Sequence, residues 1–266
     1  YAEKGLEQAY LVGPGTDKLN ISLKNAFNAV PDKAVYDGPK QDEVKAALDK
    51  HGFKYISDDH FITVLGKSVH AMLAPEGTNA VLRLAIALDD VFDFKPLDFI
   101  GKLFKEDATG TSVLGDVEDE SGHLTFNISS LEINEKETRM QIDLRIPVTV
   151  DRDQLLKKLN ENVAPYDLKY APFDYVAPLY VPKDSKLIQT LIAVYKDQTG
   201  DNDATPQISG GATFARTMHN CVAFGGMLPT TPDYMHQANE QWPLPDMFKA
   251  MEIYAQAIKK LCVDGE

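Results

Sequence analysis

Met140-Gln-Ile-Asp-Leu-Arg-Ile146 alternates apolar and polar residues without a break, and Leu124-Thr-Phe-Asn-Ile128 shows the same pattern upstream. Successive side chains of a strand point to opposite faces, so this alternation is typical of a sheet with one covered face. The polar loop Asn134–Glu137 lies between the two stretches and predicts that they pair as a hairpin. An antiparallel sheet is therefore expected in the middle of the chain.

Helices and further strands are predicted on both sides of this hairpin. Apolar residues recur at helical spacing in Gln41–Lys50, in about Thr78–Asp90 and in Asp151–Val163. Short stretches near Phe53–Ile56 and Phe61–Leu65 predict two more strands. The fold class is therefore expected to be α/β, with antiparallel sheets that carry helices on one face.

The proline-punctuated segment Ala177-Pro-Leu-Tyr-Val-Pro182 predicts a domain boundary. Before it, two α/β units of similar make-up are expected, at about residues 1–95 and 96–178. After it come a helix, a short strand at Cys221–Phe224 and a last helix, which together form an αβα piece without partner strands. A parallel sheet buries both faces and needs several strands, so residues 179–266 are predicted to belong to a larger domain.

The last predicted helix keeps a 3.6-residue apolar period to its end. Its stripe consists of Met247, Phe248, Met251, Tyr254, Ala255, Ile258 and Leu261. Because the larger domain is expected to be incomplete, unmatched apolar faces of the C-terminal part are predicted to favour self-association.

The composition excludes several classes of partner. A net charge of −13 at pH 7 leaves no excess of basic residues to replace the counterions of nucleic acid. The longest apolar stretch, Ala80–Leu88, contains Arg83 and is far shorter than a bilayer requires, so no membrane association is expected. Cys221 and Cys262 are too few for a disulfide scaffold, which favours a reducing cytoplasmic location.

Three local clusters could carry chemistry. Gly66-Lys-Ser-Val-His-Ala71 places a histidine directly after a strand, with an exposed loop histidine as the plain alternative. The glycines of Ser209-Gly-Gly-Ala-Thr-Phe-Ala-Arg216 would let the backbone approach a ligand closely, although a tight turn into a helix is the simpler account. Met235-His-Gln-Ala-Asn-Glu240 puts His236 and a carboxylate ahead of a helix, but one histidine alone cannot fix a metal.

In order along the chain, these clusters and three further motifs resemble the bacterial PepV-type dipeptidases. The further motifs are Asn28-Ala-Val-Pro31, Asp143-Leu-Arg-Ile-Pro147 and Val222-Ala-Phe-Gly225. Such dipeptidases belong to the metallopeptidase family that also holds carnosinases, aminoacylase and carboxypeptidase G. The resemblance extends from about Asn20 to the end of the chain. It departs at Ala212, where relatives often carry a third consecutive glycine.

The resemblance implies a two-zinc catalytic domain that is interrupted by a lid. Residues 1–178 would be the lid, and residues 179–266 would be the C-terminal half of the catalytic domain. His236 matches the last zinc ligand, whereas the other ligands and the general base belong to a preceding half. The chain starts at Tyr1 without an initiator Met. We therefore expect a truncated fragment that binds zinc weakly and hydrolyses nothing.

The resemblance also implies roles in substrate recognition. His70 would hydrogen-bond the oxyanion that forms when a zinc-activated water attacks the scissile carbonyl. Arg145 would grip the free carboxylate of a dipeptide, beside a donor from Asn28, since a guanidinium fork matches a carboxylate. Without the resemblance, Arg145 would be expected to be a solvated strand arginine. From the catalytic side, the substrate would be lined by the backbone of Gly210, Gly211 and Thr213.

Two other functions stay open beside a zinc-dependent dipeptidase with a dipeptide as its partner. A deacylase or desuccinylase of N-acyl amino acids in the same family would share the lid motifs. A non-catalytic interaction domain that kept the lid fold would lack the upstream metal ligands.

Overall fold

The computed structural model describes residues 1–232, 234 and 239–264 and shows a mixed α/β protein with several antiparallel sheets. The predicted fold class is therefore confirmed. The chain divides into two compact units. The N-terminal unit is Lys4–Pro178, and the C-terminal unit is Leu179–Glu266 together with Tyr1–Glu3. Their assignment as a lid and half of a catalytic domain stays a prediction.

The regular elements are named in chain order. The strands are β1 (Ala2–Glu3), β2 (Gly5–Pro14), β3 (Ile21–Leu23), β4 (Lys33–Tyr36), β5 (Tyr55–Ser57), β6 (Ile62–Leu65), β7 (Glu118–Asp119), β8 (Gly122–His123), β9 (Thr125–Ile133), β10 (Glu137–Ile146), β11 (Lys169–Val176), β12 (Leu179–Tyr180) and β13 (Ile208–Ser209). The α-helices are α1 (Gln41–His51), α2 (Ala80–Val91), α3 (Lys95–Asp98), α4 (Thr111–Leu114), α5 (Arg152–Val163), α6 (Lys186–Thr199) and α7 (Leu244–Cys262). Ala71–Glu76, Ala164–Tyr166 and Phe214–Thr217 form 3₁₀ turns, and Phe99–Phe104 is π-helical. None of the helices formed by the described residues is long and apolar enough to cross a membrane.

A five-stranded antiparallel sheet, ordered β11-β2-β10-β9-β3, is the centre of the N-terminal unit. The predicted hairpin is β9–β10, and the Asn134 side chain closes its turn by accepting hydrogen bonds from the amides of Lys136 and Glu137. Strand β2 lies between β10 and β11 and was not predicted from the sequence. Its inward positions include Gly5 and Glu7, so its burial pattern is not an apolar pattern.

One hydrophobic core runs through the N-terminal unit, from Ala9 to Leu168 along the sequence. Residues 1–95 and 96–178 therefore share it. A smaller, three-stranded sheet is ordered β4-β6-β5. Helix α2 packs against α1, against β4 and β6 of this smaller sheet, and against β9 of the large sheet. Asn79 caps α2 by accepting a hydrogen bond from the amide of Leu82 (3.1 Å). This packing joins the two sheets into one body.

The C-terminal unit contains a three-stranded sheet ordered β12-β1-β13, in which β1 pairs antiparallel with β12 and parallel with β13. The prediction that this part has no partner strands was therefore wrong, because the first residues of the chain supply one. Cys221–Phe224 is not a strand. Its apolar residues Val222 and Phe224 instead pack as loop residues against the small core between α6 and α7.

Candidate functional site

Asn28 and His70 are brought together in the N-terminal unit by backbone pairing. The amide of Ala71 donates a hydrogen bond to the carbonyl oxygen of Asn28 (2.8 Å). Ala29 and His70 form an isolated antiparallel bridge between the two segments. Both Asn28 and His70 are exposed. Two of the residues predicted to contact substrate therefore lie on adjacent segments of one surface.

His70 also caps the 3₁₀ turn Ala71–Glu76. Its Nδ1 accepts a hydrogen bond from the backbone amide of Met72 (3.1 Å). A neutral imidazole that accepts at Nδ1 carries its proton on Nε2. The neutral ring is therefore set to donate a hydrogen bond from Nε2, which is the property that an oxyanion partner requires.

Gly66 lies at the start of the loop that presents His70. A Cβ atom at Gly66 would lie 2.2 Å from the carbonyl oxygen of Thr78, which is too close for any other residue. Beside it, Lys67 and Thr78 exchange two backbone hydrogen bonds of 2.8 and 3.0 Å. The glycine that opens the motif Gly66–Ala71 is thus explained by the close approach of two backbone segments.

Arg145 is 4% exposed and is held by the fully buried carboxylate of Asp143. Its Nε and Nη2 donate to the two carboxylate oxygens of Asp143 at 2.7 and 3.1 Å. Gln8 donates to the same carboxylate (3.0 Å). The alternative of a solvated strand arginine is therefore wrong. Because the pair is bidentate and buried, the direction of the guanidinium is fixed and its charge is largely balanced.

Within the C-terminal unit, the glycine motif is organised around Glu3. The amide and hydroxyl of Thr213 both donate to the Glu3 carboxylate, and so does Nε of Arg216 (2.7 Å). Nη2 of Arg216 donates to the carbonyl oxygen of Gly211 (2.9 Å), whose amide donates to Ser209 Oγ (3.0 Å). The amides of Gly211 and Thr213 thus donate to acceptors within the protein.

A largely apolar cavity of about 690 Å³ lies within the C-terminal unit. Its wall includes Glu3, Ser209, Thr213 and the predicted motif residues Val222–Gly225. The glycine motif therefore borders a cavity large enough for a small molecule or several side chains.

The predicted zinc ligand His236 lies outside the described residues. Among those that the structure describes, Asp116, Glu118 and His123 are the one group of three whose ligand atoms all lie within 4.8 Å of one another, and all three are exposed. None of them belongs to a predicted motif. The residues described therefore do not assemble the zinc site that the resemblance implies.

Sequence reasoning missed two carboxylates that hold the predicted residues. Asp143 could have been found, because strand alternation puts it on the same face as Arg145 two positions later. Glu3 could not, since it meets Thr213 and Arg216 only through the fold. The first three residues carry no local signal for this contact.

Comparison with known proteins gives relatives along nearly the whole chain. A Bacillus subtilis (strain 168) protein named "Putative dipeptidase YtjP" is 32% identical over 288 residues, covering 98% of this chain and 60% of that protein. A Staphylococcus haemolyticus protein named "Putative dipeptidase SH1171" is 28% identical over 278 residues, covering 95% and 57%. A solved M20 family metallo-carboxypeptidase, Sso-CP2 from Sulfolobus solfataricus, aligns with a TM-score of 0.43 and 15% identity over 97% of this chain and 58% of that chain.

The chain thus spans 60% or less of the length of these relatives. The family profile nevertheless matches most of this chain, from residue 10 to residue 260. This protein belongs to Peptidase family M20/M25/M40.

Proposed function

We propose that this chain is part of a dipeptidase, which hydrolyses the peptide bond of dipeptides that have a free C-terminal carboxylate. The observation that carries the proposal is the placement of Asn28 beside His70, whose Nδ1 accepts from Met72. The exposed ring can then donate from Nε2 to an oxygen that gains negative charge in the transition state. Family membership supports a peptidase, and the names of the curated relatives support a dipeptidase.

Arg145 is proposed to bind the free carboxylate of the substrate, with Asn28 as a second donor. Asp143 already accepts two of the guanidinium N–H groups, so the buried pair carries little net charge. The substrate carboxylate would then be recognised by the direction of hydrogen bonds more than by charge attraction. A longer peptide would place its carboxylate elsewhere, which would favour dipeptides.

Gly210, Gly211 and Thr213 are proposed to line the substrate through their backbone. The amides of Gly211 and Thr213 donate to Ser209 Oγ and to Glu3, so a substrate contact through them would replace these bonds. The substrate could instead lie close against the glycine backbone without breaking these bonds, because glycine has no side chain to keep it away.

Zinc is proposed as the metal, with His236 as one ligand and the remaining ligands outside this chain. When bound, two zinc ions would activate a water molecule and polarise the scissile carbonyl. Since the described residues do not assemble a zinc site, we expect the 266-residue chain to bind zinc weakly and to hydrolyse no dipeptide. Calorimetric titration with zinc chloride, with His236→Ala as the control, tests this. Tight stoichiometric binding that His236→Ala abolishes would contradict it.

Residues 1–178 are proposed to be a lid, and residues 179–266 the C-terminal half of a catalytic domain. The apolar cavity of the C-terminal unit supports the second assignment, because half a domain leaves part of its core uncovered. The two cysteines, Cys221 and Cys262, are free thiols, which supports a cytoplasmic location.

Substrate comparison in the longer protein that we propose contains this chain tests the dipeptidase. We expect kcat/KM for a dipeptide to exceed that for its C-terminal amide by about 10–100-fold, because the amide loses charge-assisted hydrogen bonds worth about 1.5–3 kcal/mol. Equal values would rule out recognition of the free carboxylate by Arg145. Faster hydrolysis of N-acetyl or N-succinyl amino acids would favour the deacylase, and the absence of any hydrolysis would favour an interaction domain.

The role of His70 is tested separately in the same protein. His70→Gln should lower kcat by about 10²–10³-fold with little change in KM, as expected for a donor that acts on a transition-state oxyanion. His60→Gln, a change at another exposed histidine of the N-terminal unit, is the control and should leave kcat unchanged. Equal effects of the two changes would overturn the assignment.

A further inference from the structure

Asn127 ties the Asn28 turn to the large sheet. It lies on β9 and is 2% exposed. Its Nδ2 donates to the carbonyl oxygens of Phe27 (3.2 Å) and Ala29 (2.9 Å), the residues on either side of Asn28. We propose that Asn127 is a positioning residue, which fixes the Asn28 turn against His70 and thereby keeps both groups in place for the substrate.

A second buried amide extends this network to the segment that follows His70. Asn79 Nδ2 donates to the carbonyl oxygen of Ile128 (2.7 Å) and lies 3.4 Å from Oδ1 of Asn127. Its Oδ1 caps α2 through Leu82. The loop from His70 to Asn79 is therefore held to β9 at its far end, while Asn127 holds the facing turn.

The donors of Asn127 match the acceptors around it. A primary amide has two N–H donors, and here they meet two backbone carbonyls of one turn. Removing the amide would take one donor from each carbonyl and leave the Ala29 carbonyl with the Asn25 side chain as its remaining side-chain donor (3.1 Å). The alternative is that Asn127 has a general structural role, stabilising the whole unit without a particular effect on His70.

The catalytic meaning of this arrangement rests on the function proposed above. The positioning itself is a property of the chain and can be measured without any hydrolysis. Failure of the dipeptidase assay and failure of the positioning are therefore separate results.

The test compares Asn127→Ala with Thr138→Val in the 266-residue chain. Thr138 is a matched control, because it is also fully buried in the large sheet and its hydroxyl donates to one backbone carbonyl, that of Pro14 (2.7 Å). It lies on β10 next to the hairpin turn and joins neither the Asn28 turn nor the His70 loop. A loss of general stability would appear in both variants.

Two readouts by nuclear magnetic resonance report on the turn. The first is hydrogen exchange of the Val30 and Ala71 amides, which donate to the carbonyls of Val69 and Asn28. The second is the ¹⁵N shifts of the His70 ring, which report whether the proton resides on Nε2. Exchange at Ile142, inside β10, corrects for global unfolding.

In Asn127→Ala, exchange at Val30 and Ala71 should rise at least about tenfold relative to Ile142, which corresponds to about 1.4 kcal/mol of local opening. The His70 ring should shift towards a mixture of tautomers. Thr138→Val should change neither readout. Unchanged readouts in Asn127→Ala, or equal changes in both variants, would overturn the proposal. If Asn127→Ala does not fold, Asn127→Leu fills a similar space while removing the donors without adding a charge, and the same criteria apply.

Discussion

The two units of the chain differ in how completely they cover their own apolar residues. In the N-terminal unit, the apolar positions of β10 and nearly all of α2 are buried in one core. In the C-terminal unit, Phe214 is 91% exposed and Leu244 is 61% exposed. Among its described residues, Leu191, Val194, Ile253 and Ala257 form a small core cluster. Most apolar residues of the N-terminal unit are buried, with exceptions such as Ile56 (62% exposed) and Phe173 (59% exposed), whereas the shorter C-terminal unit leaves more of its large apolar side chains in solvent.

Helix α7 shows this difference within one element. Its buried residues are Ala250, Ile253 and Ala257. Phe248, Met251 and Ile258 form a second apolar stripe on the same helix and are more than half exposed. A helix that is apolar on two sides normally lies inside a larger core. This agrees with the proposal that the C-terminal unit is half of a domain.

The largest expected difference between the units concerns aromatic residues. Phe126→Ala should lower the free energy of unfolding of the N-terminal unit by about 3–5 kcal/mol, because Phe126 is 1% exposed and packs 4.9 Å from the Phe104 ring. Phe248→Ala should change the stability of the C-terminal unit by less than about 0.5 kcal/mol. Urea titration followed by circular dichroism reports on both units. The fluorescence of Trp242, the single tryptophan, reports on the C-terminal unit. Equal losses would contradict the comparison.

Glycine substitutions should also lower the free energy of unfolding of the two units by different amounts, but by less than the aromatic substitutions. In the N-terminal unit, Gly66→Ala places Cβ 2.2 Å from a backbone oxygen of Thr78, so the backbone must move, at about 1–3 kcal/mol. In the C-terminal unit, Gly211→Ala meets only Ser209 Oγ at 3.5 Å and should cost less than about 0.5 kcal/mol. Thermal unfolding of the two variants checks this. A larger loss in Gly211→Ala would show that the C-terminal loop is packed more tightly than its neighbours indicate.

A pH effect from Asp89 is expected in the N-terminal unit. Burial, together with a hydrogen bond and charge from Asp98, raises the pKa of Asp89 from its ordinary 3.8 to about 7. The folded state then keeps a proton that the unfolded state releases, so this stabilisation is lost as pH rises from about 4 to about 7. Burial opposes ionisation of Asp98 as well, but hydrogen bonds from Lys102 and Asp89 lower its pKa. Any change in stability from Asp98 is therefore expected below the pH range in which Asp89 acts.

Asp89→Asn should therefore remove a fall in stability of about 1–2 kcal/mol between pH 5 and pH 8, after allowance for solvent screening of this half-buried group. Urea titrations at the two pH values measure the difference. Asp153→Asn, at a solvent-exposed position of α5, is the control and should leave the fall in place. The unfolding transition reported by Trp242 fluorescence should be the same with and without the Asp89→Asn change at each pH. A fall that persists in Asp89→Asn would refute the assignment.

Much of the N-terminal unit could be predicted because its signals are local. Strict alternation identified β9 and β10, and Gly52 ends α1 in the left-handed conformation, as a helix stop requires. Strand β2 escaped prediction because its buried Glu7 looks like a surface residue. Its burial depends on Arg152 and Tyr170, which hydrogen-bond its carboxylate from distant parts of the sequence.

The candidate site shows the same limit. The motifs located His70, Asn28 and Arg145, and strand alternation would also have pointed to Asp143 as the partner of Arg145. Asn127 could not be read from spacing, because it reaches the Asn28 turn only through the pairing of strands and loops. In the C-terminal unit, periodicity identified helix α7 but emphasised the stripe that lies largely in solvent, because period alone does not say which face has a partner.

The smallest expected effect on stability is also the most direct test of the exposed stripe of α7. We expect the 266-residue chain to self-associate with rising concentration, measured by sedimentation velocity. Phe248→Ser should weaken that association by about 10–100-fold, because burying a phenylalanine contributes about 1.5–3 kcal/mol, while stability changes by less than about 0.5 kcal/mol. Ile56→Ser, at a 62% exposed position of β5 in the N-terminal unit, is the matched control and should leave association unchanged. A chain that stays monomeric at all concentrations, or an equal effect at Ile56, would show that exposed apolar area on the C-terminal unit does not drive association.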